Sequence, residues 1–364
     1  MDVKALLKKL VETESPSHDK AAVDRVGVIV AEEARRLGAN VEVVANAQTG
    51  DHVIARWGSG EVGILLMCHM DTVFPLGTLG TFPYREENGL IRGPGVLDMK
   101  SGIVITLSAI SSILSNGTAA PRPITALFTS DEEIGSDTSR GLIESLAKQA
   151  QVVFVMESAL LDGSLKTWRK GVGDFYVKVK GRAAHAGGAH KDGRNAIEEM
   201  AHQIIAIQKM TDYAKGTTLN VGHIQGGTVT NVVPEECSIA VDFRVLEVEE
   251  AERVNSALQN LKPVLEGTAI EVTGGLNRPP LPYNEINQAA FKKAFRIAKD
   301  KLGVELKAGG TGGGSDGNFV APLGVPVLDG LGAIGEGYHS DREYIFADSL
   351  ESRVQLIAAL LREW

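Results

Sequence analysis

Hydrophobic and polar positions along this chain predict strands and helices that follow one another in turn. Residues 62–67 form a continuous apolar run, which is typical of a strand buried on both faces. A helical repeat at 17–37 has one apolar face and ends before Gly38. The same patterns predict further strands at 40–46, 51–57, 124–129 and 152–156 and helices at 100–115 and 138–149. This alternation indicates an α/β domain whose sheet contains parallel strands.

The pattern changes after residue 170, where half-exposed strands replace the buried ones. The predicted order is then strand, helix, strand, strand, helix, strand, which is the ferredoxin-like arrangement. Its members are strands at 172–181, 217–224, 236–245 and 268–273 and helices at 194–211 and 248–265. The α/β character returns with a helix at 286–302, an apolar segment at 325–328 and a helix at 347–362. We therefore expect one α/β domain formed by 1–170 and 279–364, with a smaller domain, 171–278, inserted into it.

Charge and cysteine content narrow the function classes. The 364 residues carry a net charge of −9 and no block of lysine or arginine, which argues against a nucleic-acid surface. Cys68 and Cys237 lie in strand-like segments, and we expect both to be reduced and buried. No run of about 18 apolar residues predicts a membrane span. The first residues are typical of an amphipathic helix, so the expected location is the cytoplasm, or the periplasm if a leader has been removed.

Candidate metal ligands end the predicted strands or lie in tight loops. His69 follows the first buried strand, and Asp71 is placed to hold the second ring nitrogen of a ligating imidazole. Asp98 lies in a loop of glycine and proline before a helix, where a carboxylate can bridge two cations or cap the helix. Glu157 ends another apolar strand, and His339 lies in a glycine-flanked loop. Each of them alone also fits an ordinary exposed or core position, but together they indicate a metal centre.

Three consecutive carboxylates, Asp131, Glu132 and Glu133, follow the strand at 124–129. They repel one another, so burying them without a cation is costly. Neighbouring side chains point in different directions, which lets one glutamate ligate a metal while the other acts as a general base. A solvated loop that starts the next helix is the alternative. Over all five candidate places together, three carboxylates and two histidines suit a pair of divalent cations, with zinc as the first expectation. Two such metals about 3.5–4 Å apart form a hydrolytic centre.

The inserted segment adds polar residues that suit substrate binding. His185 and Asn231 lie beside short loops, and Arg244 ends a strand, where it can clamp a carboxylate or pair with Asp242 at the surface.

The glycine-rich stretch 309–314 lacks the Gly-Lys-Ser/Thr ending of a phosphate loop. It better fits a backbone that lies close to a substrate carboxylate.

These residues, in this order, resemble the co-catalytic zinc metallopeptidases that include glutamate carboxypeptidase, aminoacylase, acetylornithine deacetylase and succinyl-diaminopimelate desuccinylase. The resemblance spans essentially the whole chain. The matching motifs are His69-Met70-Asp71, Gly93-Pro94-Gly95 through Asp98, Asp131-Glu132-Glu133, Glu157, His185-Ala186-Gly187, Asn231, Arg244, Thr311-Gly312-Gly313-Gly314-Ser315-Asp316 and His339-Ser340-Asp341. The stretch from His185 to Ala196 is most similar to the glutamate carboxypeptidase branch.

The resemblance implies a ligand set for two zinc ions, with Co²⁺ or Mn²⁺ as substitutes. Asp98 would bridge the two metals. His69 and Glu157 would complete one metal site, and Glu133 and His339 would complete the other.

The resemblance also implies roles for the remaining motif residues. Glu132 would be the general base and acid, and Asp71 would orient His69. His185 would reach the active site of the partner subunit and stabilise the oxyanion. The residues that would bind the substrate carboxylate are Arg244, Asn231, Thr311, Gly312 and Gly313.

The expected fold is therefore an α/β, mixed-sheet zinc-peptidase catalytic domain with an inserted ferredoxin-like α+β lid and dimerisation domain, through which a homodimer forms. The expected function is metal-dependent amide hydrolysis that releases a C-terminal or N-acylated amino acid, glutamate first, through a metal-bridging hydroxide. The substrate would be a small N-acyl amino acid or peptide, with no nucleic acid or membrane as partner. The alternatives are an aminoacylase, acetylornithine deacetylase or desuccinylase with the same chemistry and, more distantly, a non-catalytic metal or amino-acid binding protein.

Overall fold

A computed structural model describes residues 1–60, 63–115 and 119–364 of the chain. Residue 62, where the first predicted buried strand begins, lies outside these residues. The chain divides into two compact units. The first unit comprises Met1–Trp168, Tyr283–Thr311 and Ser315–Trp364, and the second comprises Arg169–Pro282 and Gly312–Gly314.

The α-helices follow the apolar repeat of about 3.6 residues. In chain order they are α1 Val3–Val11, α2 Lys20–Arg36, α3 Ser101–Ile113, α4 Arg140–Ala147, α5 Ala196–Gln208, α6 Val248–Gln259, α7 Glu285–Leu302, α8 Gly317–Val320 and α9 Ala347–Glu363. Side chains at several N-caps accept hydrogen bonds from backbone N–H groups of the first turn, and these are Asp2, Asp19, Asn195 and Asn284.

The strands vary in length from two to ten residues. In chain order they are β1 Asn40–Val44, β2 His52–Trp57, β3 Gly63–His69, β4 Arg85–Glu87, β5 Leu90–Arg92, β6 Ile124–Thr129, β7 Ala150–Val155, β8 Leu165–Arg169, β9 Gly171–Lys180, β10 Ala184–His185, β11 Thr218–Gly226, β12 Val232–Val233, β13 Glu236–Val245, β14 Ala269–Arg278, β15 Ala308–Thr311, β16 Val327–Leu328, β17 Gly335–Glu336 and β18 Tyr344–Phe346.

The main sheet of the first unit is mixed, with the strand order β1-β2-β6-β3-β7-β16. β3 pairs in parallel with both β6 and β7, whereas β2 pairs antiparallel with β1 and β6. Every residue of β3 after Gly63 is buried, as expected for a strand covered on both faces. The carboxyl ends of β3, β6 and β7 therefore share one edge of the sheet.

Helix α3 lies in the core of this unit. All of its residues up to Ile110 are buried. The stretch Val96–Ile113 is long and apolar enough to pass for a membrane-spanning helix, but 83% of it is buried inside the protein. Asp98 and Met99, within that stretch, also depart from helical backbone angles. These features are those of a core helix preceded by an irregular turn.

A second, small antiparallel sheet in the first unit has the order β17-β18-β5-β4. Its strands have only two or three residues each, too few for an alternating pattern to predict them from the sequence. The loop between β17 and β18 carries His339, so this sheet positions that residue.

The second unit has a four-stranded antiparallel sheet in the order β11-β13-β9-β14. Burial alternates along β9 and β13, and α5 and α6 pack against these strands around an apolar core that includes Phe175, Met200 and Phe243. The ferredoxin-like order of strands and helices predicted from the sequence is therefore observed.

The prediction for α6 is wrong at its C-terminal end. The helix was expected to reach residue 265 but ends at Gln259, with Asn260 as its C-cap. Pro263 follows closely, and proline cannot supply the backbone N–H that a continuing helix needs. The last strand is longer than expected, because β14 continues to Arg278.

Candidate metal centre

Three of the predicted ligands follow the carboxyl ends of neighbouring parallel strands. His69 ends β3, while Glu133 and Glu157 come shortly after β6 and β7. In the sheet β3 lies between β6 and β7, with His69 opposite Thr129. Because these strands end at the same edge, their following residues are brought together there.

Asp98 lies between two histidine–glutamate pairs. Its Oδ1 is 3.1 Å from His69 Nε2, and its Oδ2 is 3.2 Å from His339 Nε2. Glu157 Oε1 is 3.4 Å from His69 Nε2, and Glu133 Oε2 is 3.3 Å from His339 Nε2. The five side chains predicted as metal ligands thus form one cluster within the first unit, with a single carboxylate facing both halves.

The spacing of this cluster fits a pair of divalent cations. Ligands at about 2.0–2.2 Å from a tetrahedral zinc ion lie about 3.4 Å from one another, and the four histidine–carboxylate separations are 3.1–3.4 Å. One atom each of His69, Asp98 and Glu133 lie within 4.8 Å of one another. Glu133 Oε1 is buried and accepts no hydrogen bond within the part of the chain that the structure describes. Burying such an oxygen is costly unless a cation compensates it.

Electrostatics within the cluster favours positive charge between the carboxylates. Hydrogen bonds to Asp98 and Glu133 raise the pKa of His339 to about 10. Burial opposes charge on His69, but hydrogen bonds to Asp71 and Asp98 outweigh burial and hold its pKa well above the usual value. Burial, together with the neighbouring Asp98 charge, raises the pKa of Glu133 to about 7. The cluster therefore attracts cations, and protons and metal ions compete for it.

His339 lies on the open side of the cluster. Its side chain is 53% exposed, whereas that of His69 is 1% exposed. The backbone of His339 has φ +57°, a left-handed conformation that is uncommon outside glycine and is found at functional sites. Within this unit, the His339 side of the cluster is therefore more exposed than the His69 side.

Asp71 contacts both His69 and the backbone of the consecutive glutamates Glu132 and Glu133. Its backbone oxygen lies 3.0 Å from His69 Nδ1, which fixes the ring so that Nε2 faces Asp98. Its carboxylate accepts the backbone N–H of Glu132 and that of Glu133, each at 3.2 Å. The side chain is fully buried, so one residue fixes both parts of the site.

Glu132 opens a short 3₁₀ helix, Glu132–Ile134. Successive residues of such a helix are separated by about 120° around its axis. The Glu132 side chain therefore leaves the helix in a different direction from Glu133, which faces His339. The predicted roles, Glu132 as general base and Glu133 as metal ligand, require that the two side chains point in different directions.

The structure brings His185 and Asn231 together in the second unit. β10 pairs with β12, and the N–H of Ala186 donates to the carbonyl oxygen of Asn231 at 2.9 Å. His185 Nδ1 accepts the N–H groups of Gly187 and Gly188 at 3.1 and 2.9 Å, which leaves the ring proton on Nε2. The ring is exposed, so it presents a hydrogen-bond donor at the surface of this unit.

Arg244 forms an ion pair with Asp242, the alternative that the sequence left open. Its Nη2 donates to Asp242 Oδ2 at 2.7 Å, and its Nη1 lies 3.5 Å from the carbonyl oxygen of Gly312. Gly312 and Gly313 belong to the second unit with Arg244, while Thr311 ends β15 in the first. Binding of a substrate carboxylate by these residues stays a prediction.

Ser17 and Glu343 lie around the cluster and were not predicted from the sequence, whereas Lys166, with Arg169 and Lys170, was predicted to supply charge for an acidic substrate side chain. Ser17 donates to Asp71 Oδ2 at 2.7 Å from 54 positions upstream, and nothing in its local pattern indicates that role. Lys166 is buried, and its Nζ lies 3.3 Å from both Ser158 Oγ and Tyr338 OH. Glu343 is also buried and accepts backbone N–H groups from the Asp98 loop.

Two histidines and three carboxylates at the carboxyl edge of an α/β sheet are typical of metal-dependent hydrolases. Residues 65–363 match the peptidase family M20/M25/M40. The chain is 31% identical over 367 residues to carboxypeptidase G2 of Pseudomonas sp. (strain RS-16), covering 98% of this chain and 88% of that protein. It is 26% identical to succinyl-diaminopimelate desuccinylase of Dechloromonas aromatica (strain RCB), with 92% of each chain covered.

Solved structures share the whole fold. A tripeptidase from Staphylococcus aureus matches with a TM-score of 0.79 and 23% identity over 100% of this chain and 98% of that one. A dinuclear metal-binding peptidase of family M20 from Bacillus subtilis matches with a TM-score of 0.70 and 17% identity over 99% and 96%. The chain belongs to the peptidase family M20/M25/M40 and is a metal-dependent peptidase or amidohydrolase, which confirms the family and fold predicted from the sequence.

Proposed function

We propose that this protein is a carboxypeptidase-like amidohydrolase that releases glutamate, or a similar amino acid, from an N-acyl or peptide substrate at a pair of zinc ions. The observation that carries the proposal is the position of Asp98, whose two oxygens face two separate histidine–glutamate pairs at 3.1 and 3.2 Å from the imidazoles. His69 and Glu157 would hold one metal and Glu133 and His339 the other. When bound, such a pair lowers the pKa of a water molecule and polarises the scissile carbonyl.

The chain's own residues supply the proton transfers. Glu132 takes a proton from the attacking water and returns it to the departing nitrogen, so that a carboxylate and an amine leave. Asp71 keeps His69 in the orientation in which its Nε2 faces Asp98. The resemblance assigns the oxyanion to His185, whose Nε2–H is exposed.

The charge near the cluster supports an acidic substrate. Lys166 is 5% exposed, and its ammonium lies beside Ser158, which follows Glu157, and beside Tyr338, which precedes His339. We infer that this positive charge favours a substrate that carries a second carboxylate. The similarity to carboxypeptidase G2 supports a carboxypeptidase-like activity.

The second unit supports the proposal of a homodimer. β11 is an edge strand of its sheet, and Ile224 on that strand is 55% exposed. Ile205 on α5 is 56% exposed. An edge strand with exposed apolar side chains is a ready surface for pairing with a second copy. We expect sedimentation to give twice the chain mass of 38.7 kDa.

Release of the product amino acid or amine from a panel of substrates by the zinc-loaded protein tests the proposal. The panel contains folyl-glutamate, benzoyl-glutamate, acetylornithine, succinyl-diaminopimelate and acetyl-methionine, each incubated with and without a chelator. We expect chelator-sensitive release of glutamate from the first two. Glu132→Gln should lower kcat by about 10²–10⁴-fold while both metals stay bound, and Glu351→Gln, an exposed glutamate on α9, should retain full activity.

Three outcomes separate the alternatives. Cleavage of acetylornithine or succinyl-diaminopimelate alone would keep the chemistry and reject glutamate as the product. Full activity of Glu132→Gln would reject that residue as the base. No cleavage across the panel, with two metals bound, would reject the substrate class.

A further inference from the structure

Glu343 is a buried carboxylate that no predicted role explains. It lies in the loop before β18, four residues after His339, and has no exposed surface. Its oxygens accept three backbone hydrogen bonds. Oε1 accepts the N–H groups of Leu97 and Asp98 at 2.7 and 3.0 Å, and Oε2 accepts that of Gly95 at 3.1 Å.

These three donors belong to the loop that presents Asp98. Within this loop Asp98 has φ −117° and ψ 92°, and Gly95 has φ +71°, so the segment is not a regular helix. Its N–H groups therefore cannot all find the carbonyl partners that a helix would provide. Leaving one buried N–H without an acceptor costs about 1–3 kcal/mol. One side chain from the His339 loop thus satisfies three donors of the Asp98 loop.

The geometry connects the two halves of the metal centre. Glu343 and His339 are on the same loop, and His339 Nε2 lies 3.2 Å from Asp98 Oδ2. The backbone of Asp98 is held by Glu343 while its carboxylate faces the imidazole from the same loop. A shift of Glu343 would therefore move Asp98 and His339 relative to each other.

A buried lysine accompanies this arrangement. Lys100 is 1% exposed, and its Nζ donates to the carbonyl oxygen of Thr13 at 2.9 Å. Burial lowers the pKa of the Lys100 ammonium to about 7, and the nearby charges of Glu343 and Glu14 only partly oppose that shift.

We propose that Glu343 is a positioning residue for the metal centre, which sets the Asp98 carboxylate at the place where it can serve both metals. The inference rests on the metal centre proposed above. Glu343 acts through the backbone of the Asp98 loop and touches no reacting atom. Partners of this kind behind metal ligands contribute about 10–100-fold to metal affinity or activity.

Glu199 offers a matched control in the second unit. It is also fully buried, and its carboxylate accepts backbone N–H groups of Val264 at 3.0 Å and Leu265 at 2.6 Å. Both Glu343→Gln and Glu199→Gln keep the size of the side chain and remove one acceptor oxygen. A purely structural role predicts the same effect for both variants, whereas a positioning role predicts an effect on metal binding for Glu343 alone.

The experiment measures zinc stoichiometry and affinity by competition with a chromophoric chelator, together with thermal unfolding of the metal-free proteins. We expect wild type to bind two zinc ions and Glu343→Gln to bind the weaker one about 10–100-fold less tightly. Excess zinc should restore much of its kcat with KM unchanged. Glu199→Gln should lower the unfolding temperature and leave both zinc affinities within twofold of wild type. Glu343→Asp, which keeps both carboxyl oxygens on a shorter side chain, should give a smaller loss.

Two results would overturn the inference in distinguishable ways. Wild-type zinc affinity in both Glu343 variants would reject the positioning role and leave the metal centre standing. Fewer than two zinc ions in the wild type would reject the metal centre itself, and the role of Glu343 with it.

Discussion

Glu133 of the first unit differs from two buried glutamates of the second unit, Glu199 and Glu250, in the donors that surround its carboxylate. In the second unit, Glu250 and Glu199 are nearly or fully buried and each has several donors from its own unit. In the first unit, Glu133 is equally hidden, but its Oε1 has no hydrogen-bond donor among the described residues. Glu199 and Glu250 are thus compensated by donors of their own unit, whereas the free oxygen of Glu133 is left for a cation.

The pKa shifts follow this difference. Hydrogen bonds from Arg253 and Lys215 lower the pKa of Glu250 to about 2. Burial alone would raise the pKa of Glu199, but N–H donors such as Leu265 outweigh it and lower the pKa. Burial and the charge on Asp98 raise the pKa of Glu133 to about 7. The shift at Glu133 thus differs in direction from those at Glu199 and Glu250, and strongly perturbed pKa values concentrate at functional sites.

The largest expected effect comes from removing the charge that faces both halves of the cluster. Asp98→Asn should lower kcat/KM by at least about a thousandfold and reduce bound zinc from two ions to one or none, because a neutral amide does not bridge two cations. Metal analysis and turnover on the best substrate of the panel measure this. Glu199→Gln should keep both zinc ions and most activity. Two tightly bound zinc ions in Asp98→Asn would contradict the assignment of Asp98 as the bridging ligand.

Zinc should stabilise the protein by an amount that depends on pH. Without metal, the pKa of His339 is raised to about 10, so its contribution to stability is fully present below its usual value of 6.5 and is lost as the pH rises towards 10. Zinc must displace that proton, so its binding tightens as the pH rises. At a free zinc concentration of 1,000 times the dissociation constant, zinc stabilises the protein by about 4 kcal/mol. If the zinc concentration is then held fixed while the pH rises, this stabilisation should grow by about 1.4 kcal/mol per pH unit for each displaced proton.

Thermal unfolding with and without zinc at pH 6, 7 and 8 measures this effect. Calorimetry in buffers of different ionisation enthalpy should show proton release on binding. The same zinc-dependent stabilisation at all three pH values, with no protons released, would mean that metal and protons do not share the cluster.

The smallest effect is expected in the second unit. The lowered pKa of Glu250 means that its contribution to stability is present above its usual pKa of 4.5 and is lost as the pH falls towards 2. Glu250→Gln should therefore cost about 1 kcal/mol at pH 7 and less at pH 3.5. Urea unfolding of the metal-free protein at both pH values measures the difference, and Glu249→Gln, an exposed neighbour, should change little. An equal loss at both pH values would show that size or packing, rather than charge, makes Glu250 important.

Local sequence patterns were sufficient to predict the strands whose ends carry the candidate metal ligands. The apolar runs before His69, Glu133 and Glu157 predicted β3, β6 and β7, because strands buried on both faces are continuously apolar. The motif residues between them indicated the family, which the comparisons confirmed. The short strands around His339 were missed, since two or three residues carry no periodic signal.

The sequence by itself therefore determined the order of the longer elements, the family and the candidate ligands, because these depend on residues close together in the chain. The tertiary structure alone decided which polar partners meet across long separations. Ser17 holds Asp71 from 54 positions away, and Glu343 holds the N–H of Asp98 from 245 positions away. Such contacts leave no local pattern, since a buried polar group needs only one partner of the right kind, and the fold decides where along the chain that partner comes from.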